Sequence, residues 1–192
     1  MRVIAGRAGG IRLDVPRSNV RPTMDRVKAA IFSSLGNAVV GARVLDLFAG
    51  TGALGIEALS RGAASVLFVE QDAGAIIAIE RNLAHTKSEG QIRKQDVMAF
   101  LRSTRTIGPF DIIFADPPYE KTLSGEVFTA LLLEEKKLAS LLAPDGIFVL
   151  EKRPSEKMPS CPLWNVIRAR RYGATEVLFL QHANDPVELK SP

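Results

Sequence analysis

The stretch Val44-Leu45-Asp46-Leu47-Phe48-Ala49-Gly50-Thr51-Gly52-Ala53-Leu54-Gly55 decides the fold. Val44–Phe48 is an apolar run with the length of a buried strand. It passes directly into a glycine loop and then into Ala53–Arg61, which reads as a helix. Gly50, Gly52 and Gly55 have the spacing G-x-G-x-x-G. Glu70 follows Gly50 by twenty residues, at the end of the next apolar run, Val66–Val69. A strand, a tight glycine turn and a helix in this order form the phosphate or nucleoside corner of a βαβ unit, with the later acid placed on ribose hydroxyls. The glycines alone do not choose the ligand.

Outward from this unit the alternation continues. A helix is expected over Ala73–His85, a weaker strand over Ile92–Gln95, a short helix over Val97–Leu101 and a fourth strand over Ile112–Ala115. A long helical stretch, Ser124–Leu142, stops before Pro144-Asp145-Gly146, and Ile147–Leu150 is a fifth strand. Asn165–Arg171 and Glu176–Gln181 form a closing pair that turns at Tyr172-Gly173. Repeated βα units of this length predict an α/β fold: a mostly parallel, Rossmann-like sheet with helices on both faces, and the closing hairpin as an antiparallel edge. Upstream, residues 2–15 read as a short hairpin around Gly6, Gly9 and Gly10. Thr23 can cap a helix that runs to about Leu35, with Asp25 in its first turn. The chain therefore divides into a hairpin–helix extension (1–40), the α/β domain (41–184) and a loose tail (185–192).

A chain of 192 residues, 46% hydrophobic, is enough for one well-cored domain. No apolar run reaches the ~20 residues of a membrane span, and Met1–Arg7 has no signal-like apolar region, so no membrane partner is expected. One cysteine, Cys161, fits a reducing cytoplasm. His85 and His182 lack acids or cysteines at ligand spacing, so no metal is expected. The charge is uneven. Residues 1–28 hold seven basic residues, including Arg21, Arg26 and Lys28, against Asp14 and Asp25, whereas the other 164 hold 18 basic and 19 acidic. Arg168, Arg170 and Arg171 form a second basic group. This asymmetry points to a polyanion, and nucleic acid above all. Arginines that merely protect a hairpin edge would leave the same trace.

Asp46 separates cofactors. It stands four residues before Gly50, facing the loop, where it would repel a pyrophosphate and attract an ammonium or sulfonium. S-adenosylmethionine carries both cations and a ribose. Asp46 would steer its amino-acid end, Gly50, Thr51 and Gly52 would allow close backbone approach, and Glu70 with Gln71 would meet the ribose. Asp96, with Val97 beside it, would take the adenine amino group. Asp96 reads equally as the N-cap of the helix it precedes.

Asp116-Pro117-Pro118-Tyr119 ends the fourth strand. The prolines stop the ladder and stiffen the backbone. A carboxylate, a fixed carbonyl and a flat ring then face whatever lies beyond the sheet. A planar molecule with an exocyclic amine suits them: two N–H donors for the oxygens and a face to stack. A tight turn after a strand is the plainer reading of the same residues.

Three pieces together carry a family resemblance: Arg21-Pro22-Thr23-Met24-Asp25-Arg26-Val27-Lys28, Asp46 to Ala63, and Asp116 to Tyr119. With these the chain resembles a class I S-adenosylmethionine-dependent methyltransferase, and more narrowly the bacterial RsmD family, which methylates a guanine N2 in small-subunit ribosomal RNA. The resemblance runs from about Arg2 to Gln181. Ala29 departs from it, since a glutamate is frequent there. It implies a sheet ordered 3-2-1-4-5-7-6 with strand 7 antiparallel. It also implies Asp116, Pro117 and Tyr119 at the reaction, Arg21, Thr23, Asp25, Arg26 and Pro118 toward the RNA, and ribosomal RNA as substrate, free or within a partly assembled subunit. A monomer is expected because the sequence shows no extra helix or exposed apolar stripe. Guanine rests on the resemblance alone. Adenine N6 in DNA or RNA would suit the same four residues, and an RNA-binding assembly factor could retain the cofactor site without turnover. A nicotinamide dehydrogenase fits the glycines but not Asp46.

Overall fold

A computed structural model describes residues 1–15, 23–104, 107–119, 127–159 and 161–183, excepting the side chains of Thr23 and Met24. The strands are β1 (Arg43–Leu47), β2 (Ser65–Glu70), β3 (Gln91–Lys94), β4 (Phe110–Ala115), β5 (Leu142–Lys152), β6 (Trp164–Tyr172) and β7 (Thr175–His182). The helices are α1 (Thr23–Leu35), α2 (Ala53–Ser60), α3 (Ala73–His85), α4 (Val97–Ser103), α5 (Phe128–Glu134) and α6 (Lys136–Leu141). None is long and apolar enough to cross a membrane. The sheet order is β3-β2-β1-β4-β5-β7-β6, with β7 antiparallel to both neighbours, as the family resemblance implies. The antiparallel strand is therefore interior, and β6 forms the edge.

Alternation along the buried strands sends successive side chains to opposite faces. Val44, Phe68, Ile112, Phe114 and Val149 face one apolar layer with Ile56 of α2, Ile79 of α3 and Ile31 and Phe32 of α1. Leu45, Leu67, Ile113 and Phe148 face the other, with Leu101 of α4, Leu132 of α5 and Leu138 of α6.

Two elements differ from the sequence expectation. The stretch expected as one helix over Ser124–Leu142 is two short helices, and residues 124–126 lie outside the described residues. Glu135, with extended backbone (φ −77°, ψ 102°), ends α5, and its carboxylate accepts from the Lys137 N–H to start α6. The fifth strand begins earlier than Ile147. Phe110 pairs with Leu142 and Ile112 with Ile147, so Ala143–Gly146, including Pro144, bulge opposite Asp111. The expected tail, 185–192, and Arg17 and Arg21 lie outside the described residues.

The N-terminal hairpin is not a loose arm. Its ladder is one bridge, Arg2–Arg12, but Val3, Ala8 and Leu13 are buried in the same layer as α1 and α2. The joint is Glu57 of α2, 0% exposed. Its carboxylate accepts from the N–H groups of Ile4 (2.7 Å) and Ala5 (3.1 Å) and from Arg61 Nε (2.7 Å). It also pairs with Lys28 Nζ of α1 at 3.5 Å. Lys28 is only 3% exposed, and it donates to the Arg2 carbonyl at 2.6 Å. Burial draws the Lys28 ammonium below its ordinary range, which the Glu57 charge opposes. Glu57→Ala leaves two backbone donors and a buried ammonium without their acceptor. It should lower unfolding free energy by about 3–5 kcal/mol, as for other broken buried pairs, measured by denaturant titration.

Candidate active site

The parallel strands align their carboxyl ends, so the tips of β3, β2, β1 and β4 form one edge. The loop after β1 is shaped there by carboxylates that accept from its backbone. Asp46, 2% exposed, accepts the Gly55 N–H at 2.9 Å. Glu70 Oε2 accepts the Gly50 N–H at 2.8 Å, and Oε1 accepts from Gln71 (2.8 Å) and Asp72 (2.9 Å). Gly52, with φ 75°, turns the chain into α2 in a left-handed conformation that favours glycine. At Gly55 a Cβ would come within 2.3 Å of the Phe68 ring, so only glycine lets α2 approach β2 this closely. Phe48 also has a left-handed backbone, φ 56°, unusual for so bulky a residue, and its ring meets Phe128 edge-on at 5.4 Å.

A cavity of about 510 Å³ opens over this edge. It brings together Asp46, Gly50 and Thr51 from the loop and Asp116, Pro117, Pro118 and Tyr119 from the tip of β4. Asp46 pairs with Phe114 across the ladder, and Asp116 lies two residues beyond Phe114 on the same face. Tyr119 Oη is 3.2 Å from Thr175 Oγ1, and the Arg153 guanidinium lies over the tyrosine ring, 4.6 Å from its centroid. A base that stacks on Tyr119 must share the ring with Arg153 or replace it.

Other expected residues lie elsewhere. Gly52, Glu70, Gln71, Asp96 and Val97 do not line the cavity but occupy the adjoining loop and the tips of β2 and β3. Asp96 caps α4 by accepting from Ala99 N–H at 2.8 Å. A carboxylate offers about four acceptor sites. Three on Glu70 are used, so a second ribose hydroxyl would have to displace a backbone N–H. Asp25 accepts the Arg2 N–H at 3.3 Å, a structural contact at the start of α1, while Arg26 is exposed.

Three features escaped the sequence reading. Lys28 and the hairpin residue Val15 line the cavity, so the N-terminal segment is one of its walls. Asn82 of α3, fully buried, donates to the carbonyls of Asp14 and Thr51 and accepts from Asp14 N–H, which pins hairpin to loop. Glu151, beyond the fifth apolar run, is a third carboxylate of the cavity. Only the last carried a signal: an acid directly after a buried strand.

The donor set fits a cation-bearing nucleoside. Burial pushes the Asp46 carboxyl up to about 8, the Gly55 N–H opposes this, and the Asp116 and Glu70 charges add to it. A ligand that brings positive charge to this face would satisfy a carboxylate that is otherwise held protonated.

The family model described as "Conserved hypothetical protein 95" matches residues 1–181. Ribosomal RNA small subunit methyltransferase D of Escherichia coli K12 is 36% identical over 90% of this chain and 85% of its own. The chain belongs to the ribosomal RNA small subunit methyltransferase D family. A solved Escherichia coli structure, yhhF, described only as a candidate methyltransferase, superposes with TM-score 0.79 at 32% identity, covering 95% of this chain and 97% of that one. The Thermus thermophilus 16S rRNA N2 G1207 methyltransferase RsmC, solved with AdoMet and guanosine, gives TM-score 0.66 at 26% identity, over 86% of this chain and 44% of that one.

The raised Asp46 carboxyl has a measurable sign. The folded protein holds a proton that an unfolded aspartate releases near pH 4, so Asp46 destabilises the fold increasingly as pH rises toward 8. A cationic ligand reverses this by favouring the ionised form. S-adenosylmethionine binding at pH 7 should release up to about one proton, and affinity should rise from pH 6 to 8. Calorimetry in two buffers of different ionisation enthalpy checks this, and Asp46→Asn should remove most of the release.

Proposed function

We propose that the chain transfers a methyl group from S-adenosylmethionine to the exocyclic N2 of a guanine in small-subunit ribosomal RNA. The observation that carries this reading is the shared cavity: Asp116-Pro117-Pro118-Tyr119 of β4 faces the Asp46–Thr51 loop of the neighbouring strand β1. Family membership supports ribosomal RNA as substrate, and the guanosine named with RsmC supports the base.

S-adenosylmethionine supplies an activated methyl on a sulfonium and leaves as S-adenosylhomocysteine. Asp46 would meet its cationic end, Gly50 and Thr51 at the cavity wall would let it approach the backbone over the turn that Gly52 makes, and Glu70, Gln71, Asp96 and Val97 would form the ribose and adenine side of the edge. Asp116 and the Pro117 carbonyl each accept one hydrogen of the amine. These two bonds draw the nitrogen out of conjugation with the ring and aim its lone pair across the cavity. Tyr119 carries the flipped base on its face, beside the exposed Pro118. As the amine gains a bond it becomes cationic, and Asp116 stabilises that charge and takes the proton. Positioning of this kind can supply ~7–11 kcal/mol of a barrier.

Arg2, Arg7 and Arg12 of the hairpin and Arg168, Arg170 and Arg171 of β6 are exposed and available to phosphates, as is Arg26. Arg21 and Thr23 complete the proposed set of RNA contacts. In this reading the protein acts as a monomer in the cytoplasm, on ribosomal RNA that is free or within a partly assembled subunit.

Asp116→Ala should abolish turnover while S-adenosylmethionine affinity stays within a few fold; equal loss of both would remove Asp116 from the chemistry. Tyr119→Ala should weaken RNA engagement by ~1–3 kcal/mol, the range for a base–aromatic stack. Neutralising Arg168, Arg170 and Arg171 together should flatten the slope of log affinity against log salt by roughly 0.7 for each phosphate no longer neutralised, without changing which base is methylated.

A further inference from the structure

Glu151 has no task in the mechanism above, yet it stands in the cavity. Leu150 of β5 pairs with Ala115 of β4, which sets Glu151 level with Asp116 on the adjacent strand. Alternation puts it on the face of Val149, the same face as Asp46 and Asp116, and all three carboxylates line the cavity. Asp46 already accepts from Gly55. Glu151 accepts no hydrogen bond from the described residues. Burial holds its carboxyl well above the usual carboxylate range, and the charges of Asp116 and Asp46 push the same way. A half-buried acceptor with no donor among the described residues and two like-charged neighbours is unfavourable unless a ligand supplies the donor.

The bases differ at the atom beside the reacting amine. In guanine, N2 adjoins N1, which carries a hydrogen. In adenine, N6 adjoins an N1 that carries a lone pair. Two carboxylates on neighbouring strands can therefore receive two neighbouring donors from guanine, whereas with adenine one of them faces a lone pair. We propose that Glu151 is the specificity-determining residue of this site, accepting the N1–H of the target guanine while Asp116 and the Pro117 carbonyl hold its N2 amine. This rests on the guanine-N2 reading above. It gives that reading a source in this chain, because Asp116-Pro117-Pro118-Tyr119 alone serves either base. Recognition by a half-buried acceptor that has no donor among the described residues is selective because the wrong partner leaves it unsatisfied.

The test uses a small-subunit rRNA fragment containing the base that the wild-type protein methylates, and the same fragment with 2-aminopurine there. 2-Aminopurine keeps the amine at C2 but has a lone pair at N1. The wild type should prefer guanine by at least ~10-fold in kcat/KM, the scale on which a missing polar partner is felt. In Glu151→Gln, whose amide can meet either a donor or an acceptor, the preference should fall by most of that factor with S-adenosylmethionine affinity unchanged. Glu151→Asp should keep the preference at a lower rate. Equal losses on both fragments in Glu151→Gln, leaving the preference intact, would overturn the role while label still appears on guanine N2. Label on adenine N6 in the wild type would overturn the base reading itself, and the role with it.

Discussion

The site depends on two carboxylates that accept from the backbone of one loop. Asp46 holds the Gly55 N–H and Glu70 holds the Gly50 N–H, so the tips of β1 and β2 grip the turn between β1 and α2 at both ends. The grip has consequences on each side. Inward, it lets α2 lie on β2 with Gly55 against the Phe68 ring, a contact with no room for a methyl group. Outward, Asp46 lies beside the cavity that Asp116 enters from β4, where burial keeps its proton at neutral pH against the opposing Gly55 N–H. The same residue is thus a scaffold acceptor and the charge that a cationic methyl donor would satisfy. Sheet order completes the arrangement: because β1 and β4 are neighbours, the two motifs meet without any loop reaching across.

Charge burial recurs on the far side of α2. Glu57 gathers two N–H groups of the hairpin, Arg61 just past the end of α2 and Lys28 of α1. Isolated, such a buried carboxylate would be strongly unfavourable; with four donors it fixes how the N-terminal segment docks. The segment matters for function because Val15 and Lys28 wall the cavity. Its arginines have a second role compatible with this. Arg2, Arg7 and Arg12 are exposed, with Arg7 also donating to Ser88 Oγ, while Val3, Ala8 and Leu13 anchor the hairpin in the core, so one short element both closes the site and offers cations outside it.

Much of this was legible in the sequence, for physical reasons that can be named. Strands buried on both faces read as continuous apolar runs, and the helices between them show caps and breaks, so β1, β2, β4 and α3 appear nearly where expected. Asp46, Gly50, Thr51 and Asp116–Tyr119 converge because motif position at a strand tip is a topological quantity. Hidden features depended on long-range pairing. Little local marks Glu57, Asn82 or Lys28 as buried hubs, since apart from Arg61 beside Glu57 the partners named above are 26 to 68 residues away. Glu135 interrupts a helical pattern with a residue that favours helices, and a bulge opposite Asp111 absorbs Pro144 into β5. The glycine loop is less of a ligand cradle than its spacing suggests: Gly52 and Gly55 serve turn and packing, and only Gly50 of the three borders the cavity.

The central claim is that one cavity brings an activated methyl group to the N2 amine of a guanine in ribosomal RNA. The most direct measurement is transfer of labelled methyl from S-adenosylmethionine to partly assembled small subunits, to free small-subunit RNA and to DNA, followed by digestion to nucleosides. The account predicts label in N2-methylguanosine from the RNA-containing substrates and none in DNA. Label in N6-methyladenosine, or in DNA, would contradict it, as would an absence of transfer by protein that binds S-adenosylmethionine and RNA.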